Sequence, residues 1–111
     1  MTILDLERLD VFRVALELDE LVVGVCVAGP GWLRVQAQRA SGSVALNIAE
    51  ALGRAGDDRR QRLRIARGSA LEVGAALSLL GHRRIGTREQ REAGAVLVAR
   101  VVAMLVKMGA R

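Results

Sequence analysis

Arg39 to Glu72 read RASGSVALNIAEALGRAGDDRRQRLRIARGSALE, and this stretch decides the fold. Its first half carries Ala40, Val44, Ile48 and Leu52 at a four-residue spacing, which keeps side chains on one side of a helix. A Gly-Asp turn over 53–58 follows, and Leu63, Ala66 and Ala70 then open a second helical stripe. Two helices joined by so short a turn run antiparallel. Arg54, Arg59, Arg60, Arg62, Arg64 and Arg67 crowd the turn and the start of the second helix, so a basic surface meets a tightly packed core of small residues.

Downstream, the stripe continues through Val73, Leu77 and Leu80 at alternating spacings of three and four, a coiled-coil-like seam. This gives a helix over 58–81, with Asp57 or Asp58 as a cap accepting from its free N–H groups. Ile65, Ser69, Ala76 and Leu79 fall on a second side, roughly a third of a turn away at about 100° per residue. A lone four-helix bundle needs one buried stripe per helix, so two stripes imply a further partner surface. Arg83 and Arg84 follow the C-terminus, where the helix dipole favours cations. After Gly86, Thr87-Arg88-Glu89-Gln90 is a capping box that opens a helix over 88–108. From Ala93 to Val106 that helix is apolar on nearly every face, with Arg100 its only charge. Such a helix is buried on all sides, which implies cover from neighbouring subunits and gives Arg100 a role in packing or in pairing with an acid.

Upstream, a helix over 32–53 places Trp32, Val35, Ala40, Val44, Ile48 and Leu52 mostly on one face, with a local bend expected at Ser41-Gly42-Ser43. Gly29-Pro30-Gly31 stops the preceding element, since proline removes a donor and glycine allows left-handed turns. Residues 4–28 show Leu9, Phe12 and Leu16 at helical spacing, then LVVGVCVA over 21–28. That Val-rich end also reads as a strand. It continues the helical period with no turn signal, which ranks helix first.

At 111 residues the chain is one small domain, 1–111, with one core. Phe12 and Trp32 are its only aromatics, so Leu, Val, Ile and Ala must fill that core between helices. The single cysteine, Cys26, excludes an internal disulfide and suits a reducing cytoplasm. No basic-then-apolar leader opens the sequence, and the apolar run over 93–106 is shorter than the ~20 residues that span a bilayer. A soluble, cytoplasmic protein is expected. Residues 1–30 hold six acids against Arg8 and Arg13, a net −4, whereas 31–111 hold fifteen bases against six acids, a net +9. That separation fits either ion pairing between helices or a basic surface for a polyanion. Sixteen of the seventeen bases are arginine, which fits either a GC-rich genome or selection for bidentate phosphate contacts.

No catalytic constellation stands out. His82 sits in a basic turn without a nearby carboxylate, Ser69 lacks a nucleophile elbow, and the Gly-rich segments contain neither a Walker loop nor a dinucleotide fingerprint. Neither an enzyme nor a cofactor is expected. Glu50 is read as the partner of an arginine, and Asn47 as bonded to backbone or to a neighbouring helix. Arg60, Arg64 and Arg67, spaced by four and three, line one helix face, with Arg59 and Arg62 to its sides. Such a stripe suits a phosphate backbone. The plainer reading is a solvated face neutralised in part by Asp57, Asp58 and the acids of the first helix. With so few aromatics, recognition would be of backbone or shape and weakly sequence-specific.

Asn47-Ile48-Ala49-Glu50, a basic turn, and then Leu63-x-Ile65-Ala66-x-Gly68-Ser69 resemble the four-helix-bundle proteins encoded in intervening sequences of large-subunit rRNA genes, and their relatives, the accessory variability proteins of diversity-generating retroelements. Leu9-Asp10-Val11-Phe12 with Ala15-Leu16, Gln38-Arg39-Ala40, and Leu80-Gly81 before Ile85 and Thr87 extend the resemblance over nearly the whole chain. The family commonly has a proline near 45 and a glycine near 51; Ala45 and Ala51 stand here, which makes a straighter helix. The resemblance implies an all-α, antiparallel up-down bundle assembling as a homopentameric ring with a basic surface. It also implies a binding role: an accessory protein that contacts RNA or DNA, or a scaffold that docks a larger partner such as a reverse transcriptase.

Overall fold

The computed structural model describes residues 2–111. Among them are five helices and no strand: α1 (Ile3–Glu7), α2 (Asp10–Val25), α3 (Gly31–Leu52), α4 (Gly56–His82) and α5 (Arg88–Met108). α3 packs on α4, α4 on α5, and α2 on both α3 and α5, so each long helix has two neighbours and the four close into a bundle. The short connections reverse the chain each time. Its 42 Å length follows from α4, whose 27 residues span about 40 Å at ~1.5 Å per residue.

The helix expected over 4–28 is divided. Leu9 is extended (φ −75°, ψ 126°), which separates α1 from α2. α1 is held at its start by a reciprocal capping box between Thr2 and Asp5 and buries no residue. The Val-rich end is helical to Val25, and Gly29 is reached through a tight turn in which its N–H donates to the Cys26 carbonyl at 2.9 Å.

α2 takes a different rotation from the one its spacing suggested, whereas α3 buries the expected Ala40, Val44 and Ile48 and departs only at its start. α2 buries Val11, Val14, Ala15, Leu18, Val22 and Val25, leaving Leu16 45% exposed and Leu9 and Phe12 half-buried. Leu16 and Leu18 lie about 200° apart around a helix, so both stripes have the right period and only packing selects one. In α3 the buried line runs through Leu33, Ala37, Ala40, Ser41, Val44 and Ile48, with Trp32 and Val35 on the outside. That helix is continuous through Ser41-Gly42-Ser43. Buried Ser41 donates to Asp19 of α2 at 2.6 Å, which satisfies its hydroxyl and ties the two helices together.

The seam of α4 is as its sequence indicates: Leu63, Ala66, Ala70, Val73, Leu77 and Leu80 are all buried. The core forms two layers along the bundle, one around Val14, Ile48, Ala66 and Leu105, the other around Leu18, Leu33, Val73 and Val98. α4 begins at Gly56, so Asp57 and Asp58 lie in its first turn instead of capping it. There they favour the positive end of the dipole. The Thr87–Gln90 box caps α5 with both reciprocal bonds formed. α5 buries Gly94, Val98, Val101 and Leu105 and leaves Val96 59% exposed. Arg100 is exposed beside a groove shared with Asp10, Arg13, Glu17 and Met104, and among the described residues it forms no ion pair. Next to Val101 in sequence, it is turned about 100° off the core line.

Candidate nucleic-acid interface

Because α3 and α5 both run opposite to α4, their C-terminal ends lie beside its first turns. A helix C-terminus carries carbonyls with no partner inside the helix and a partial negative charge. Three of the arginines at the start of α4 answer those groups. Arg59 Nε donates to the Ala51 carbonyl near the end of α3 at 3.2 Å. Arg64 Nε donates to the Arg111 carbonyl at 2.8 Å, and Arg67 donates to the Ala110 carbonyl at 2.6 Å. The turn that presents these two carbonyls is set by Gly109, left-handed at φ 119°, with the Ala110 N–H returning to Leu105 at 2.9 Å.

The remaining arginines of the cluster are less engaged. Arg54 pairs with Glu50 at 3.1 Å and Arg60 with Asp57 at 3.5 Å, both exposed pairs within one helical turn of sequence. Surface pairs of this kind contribute little and exchange readily for another anion. Arg62 is half-buried and makes no hydrogen bond among the described residues. The face read as Arg60, Arg64 and Arg67 is therefore divided: Arg64 and Arg67 face α5, and Arg60 faces solvent. The Glu50 pairing is as the sequence suggested, and Asn47 Nδ2 donates to the Ser43 carbonyl at 2.9 Å, within its own helix.

The opposite pole repeats the device. Arg34 donates to the Gly29 carbonyl at 3.1 Å, and Arg91 to the Ile85 and Gly86 carbonyls at 2.9 and 2.8 Å. Arg83 lies over the Trp32 ring, 5.1 Å from its centroid. Sequence spacing shows none of these contacts, since each joins a helix to a turn; the signal was an arginine a few positions after Gly-Pro-Gly or after Ile-Gly. His82 ends α4 at the surface. Among the described residues no group of His, Cys, Asp and Glu could hold a metal ion, and no helix is long and apolar enough to cross a membrane.

Fold and site together define a small helical-bundle protein with an arginine-rich pole. The chain belongs to the 23S rRNA-intervening sequence protein family, whose model matches residues 7–107. It is similar to a solved protein of unknown function from the S23 ribosomal protein family of Bacteroides thetaiotaomicron, at 26% identity and a TM-score of 0.81, over 88% of this chain and 96% of that one. No curated protein matches the sequence.

Proposed function

We propose that this protein is a non-enzymatic accessory protein that contacts the backbone of RNA or DNA through the arginine-rich pole of α4. The observation that carries the reading is the division of labour in the cluster. Arg59, Arg64 and Arg67 are fixed on carbonyls, while Arg54 and Arg60 have only weak exposed partners and half-buried Arg62 has none among the described residues. The fixed arginines keep most of their charge at the pole, so phosphates meet a positive field as well as the free guanidinium groups. The expected copy number is five, in a ring. Outward-facing Val35, Leu46 and Ile65 support assembly, because apolar residues grouped on helix faces are suited to cover by a neighbour. Repetition around a ring would turn a few phosphate contacts per subunit into useful affinity.

The test is fluorescence anisotropy with structured RNA and with duplex DNA across a salt series, with light scattering on the same sample. Affinity should fall steeply with salt and vary little with the sequence of the paired regions. A flat salt dependence, or no binding, rejects the reading. A scaffold for a larger protein, such as a reverse transcriptase, then moves ahead; it is favoured by the shallow apolar hollow of Leu46, Ala49 and Gly53 rimmed by Glu50 and Arg54. A monomer mass at micromolar concentration rejects the ring.

A further inference from the structure

The chain's one tryptophan lies outside the core. Trp32 is 53% exposed at the start of α3, and the Arg83 guanidinium covers its ring from the end of α4. Beside the ring a groove of about 200 Å³ runs between α3 and α4, lined by Trp32, Gln36, Glu72, Ala75 and Leu79 among others. Trp32 and Gln36 are one turn apart on α3, while Glu72, Ala75 and Leu79 follow the three-and-four spacing of the second side of α4. Neither Gln36 nor Glu72 takes part in a side-chain hydrogen bond or ion pair among the described residues. The groove is thus mostly apolar, an aromatic side chain and an aliphatic wall, with the side chains of Glu72 and Gln36 at its edge and the Arg83 cation on the ring beside it.

We propose that this groove receives an unpaired guanine base of single-stranded RNA, an inference that rests on the nucleic-acid reading above and adds a base-binding site to it. Its volume is below the about 300–1,000 Å³ of drug-sized sites and suits one planar ring system. An aliphatic side chain docked there would cover the Glu72 carboxylate without bonding it, which is costly. A base supplies both needs: a π-face for the part of the Trp32 ring that lines the groove, which Arg83 leaves open, and a polar edge for Glu72 and Gln36. Guanine fits this set in particular. Its adjacent N1–H and N2–H donors match the two oxygens of a carboxylate, and its O6 accepts from the Gln36 amide. Arg83, already at the ring, is placed for the adjoining phosphate. Arg60 lies 19 residues before Leu79 on α4, so the two sites are about 28 Å apart at ~1.5 Å per residue. One strand lying along α4 would meet phosphate contacts at one pole and a base contact at the other.

Trp32 is the only tryptophan and the chain has no tyrosine, so its emission reports this groove alone. The full chain would be titrated with short oligouridine and with the same oligomer carrying one central guanosine. The guanosine oligomer should quench the emission to saturation and bind at least about fivefold more tightly. Glu72→Gln should remove the preference for guanosine while the oligouridine affinity stays within about twofold. Trp32→Ala, followed by anisotropy of labelled RNA, should weaken the guanosine oligomer about tenfold with the helical circular dichroism unchanged. If labelled RNA binds with a steep salt dependence but the emission and the Trp32→Ala affinity do not change, the groove is not a base site and the arginine-pole reading stands. If no RNA binds, both readings fall. An emission maximum that shifts on dilution and ignores RNA would mean that a second copy fills the groove, which also overturns the proposal.

Discussion

Arg67 of α4 holds the carbonyl of Ala110, beyond the end of α5, at 2.6 Å. The contact joins residues 43 apart in sequence and gives an arginine of the basic cluster a structural duty. A charged donor on a carbonyl contributes more than a neutral one, and this one is partly buried. Arg67→Gln should therefore lower stability by about 1–2 kcal/mol. Arg64→Gln, on an exposed bond, should cost less, and Arg60→Gln almost nothing. Urea denaturation of the three variants gives the ranking; equal midpoints for Arg67→Gln and Arg60→Gln would count against the anchoring role.

Binding should rank the same residues in the opposite order. Arg60→Gln together with Arg62→Gln removes free guanidinium groups and leaves the anchors intact. The slope of log affinity against log salt should become shallower by about one unit for each phosphate that is no longer neutralised. Arg67→Gln should leave that slope nearly as it was once the protein is folded. Anisotropy at several salt concentrations separates the two classes.

The turn between α4 and α5 contains two positive-φ residues with opposite expectations. Arg84 is left-handed at φ 59°, and the Ile85 N–H returns to the Leu80 carbonyl at 2.8 Å, the usual closure of a helix by a left-handed residue. That conformation costs a side-chain-bearing residue about 1–2 kcal/mol, so Arg84→Gly should be stabilising by up to about 1 kcal/mol after the added freedom of the unfolded chain is counted. Gly86 is at φ 75°, and a Cβ there would stand 2.5 Å from Val25 Cγ2 and 3.1 Å from the Val25 carbonyl. Gly86→Ala should cost about 2 kcal/mol or more through strain and overlap together. Thermal melting should move upward for the first variant and clearly downward for the second.

The start of the chain should respond to acid. The Asp5 carboxyl is held below its ordinary value by the backbone N–H of Thr2 and then by the Thr2 hydroxyl. A depressed carboxyl gives its support above the ordinary carboxylate range of about 4 and loses it as pH falls through the lowered value. α1, which buries nothing, should then fray while α2 to α5 remain folded. Helix-sensitive Cα chemical shifts followed from neutral to acidic pH would show residues 2–7 alone moving to coil values; a transition shared with the core would contradict the local role.

The period of the sequence alone determined that the chain is helical, where three of the four long helices lie, and that Leu63 to Leu80 form a buried seam, whereas the helix expected over 4–28 is broken at Leu9. The capping box at Thr87 was legible for the same reason: each of these depends on residues within a turn or two of one another. Tertiary structure decided the rest. α2 offered two apolar stripes of equal period, and only the fit of Ala15, Leu18 and Val22 against α3 and α5 put Leu16 outside. The arginine cluster was visible as charge, but its division into anchors and free groups depends on carbonyls that antiparallel packing brings beside it from up to 47 residues away. Spacing along a chain determines which side chains share a face. Only the packed bundle determines what each face meets, because the energies of packing between helices depend on rotations and end positions that local periodicity leaves free.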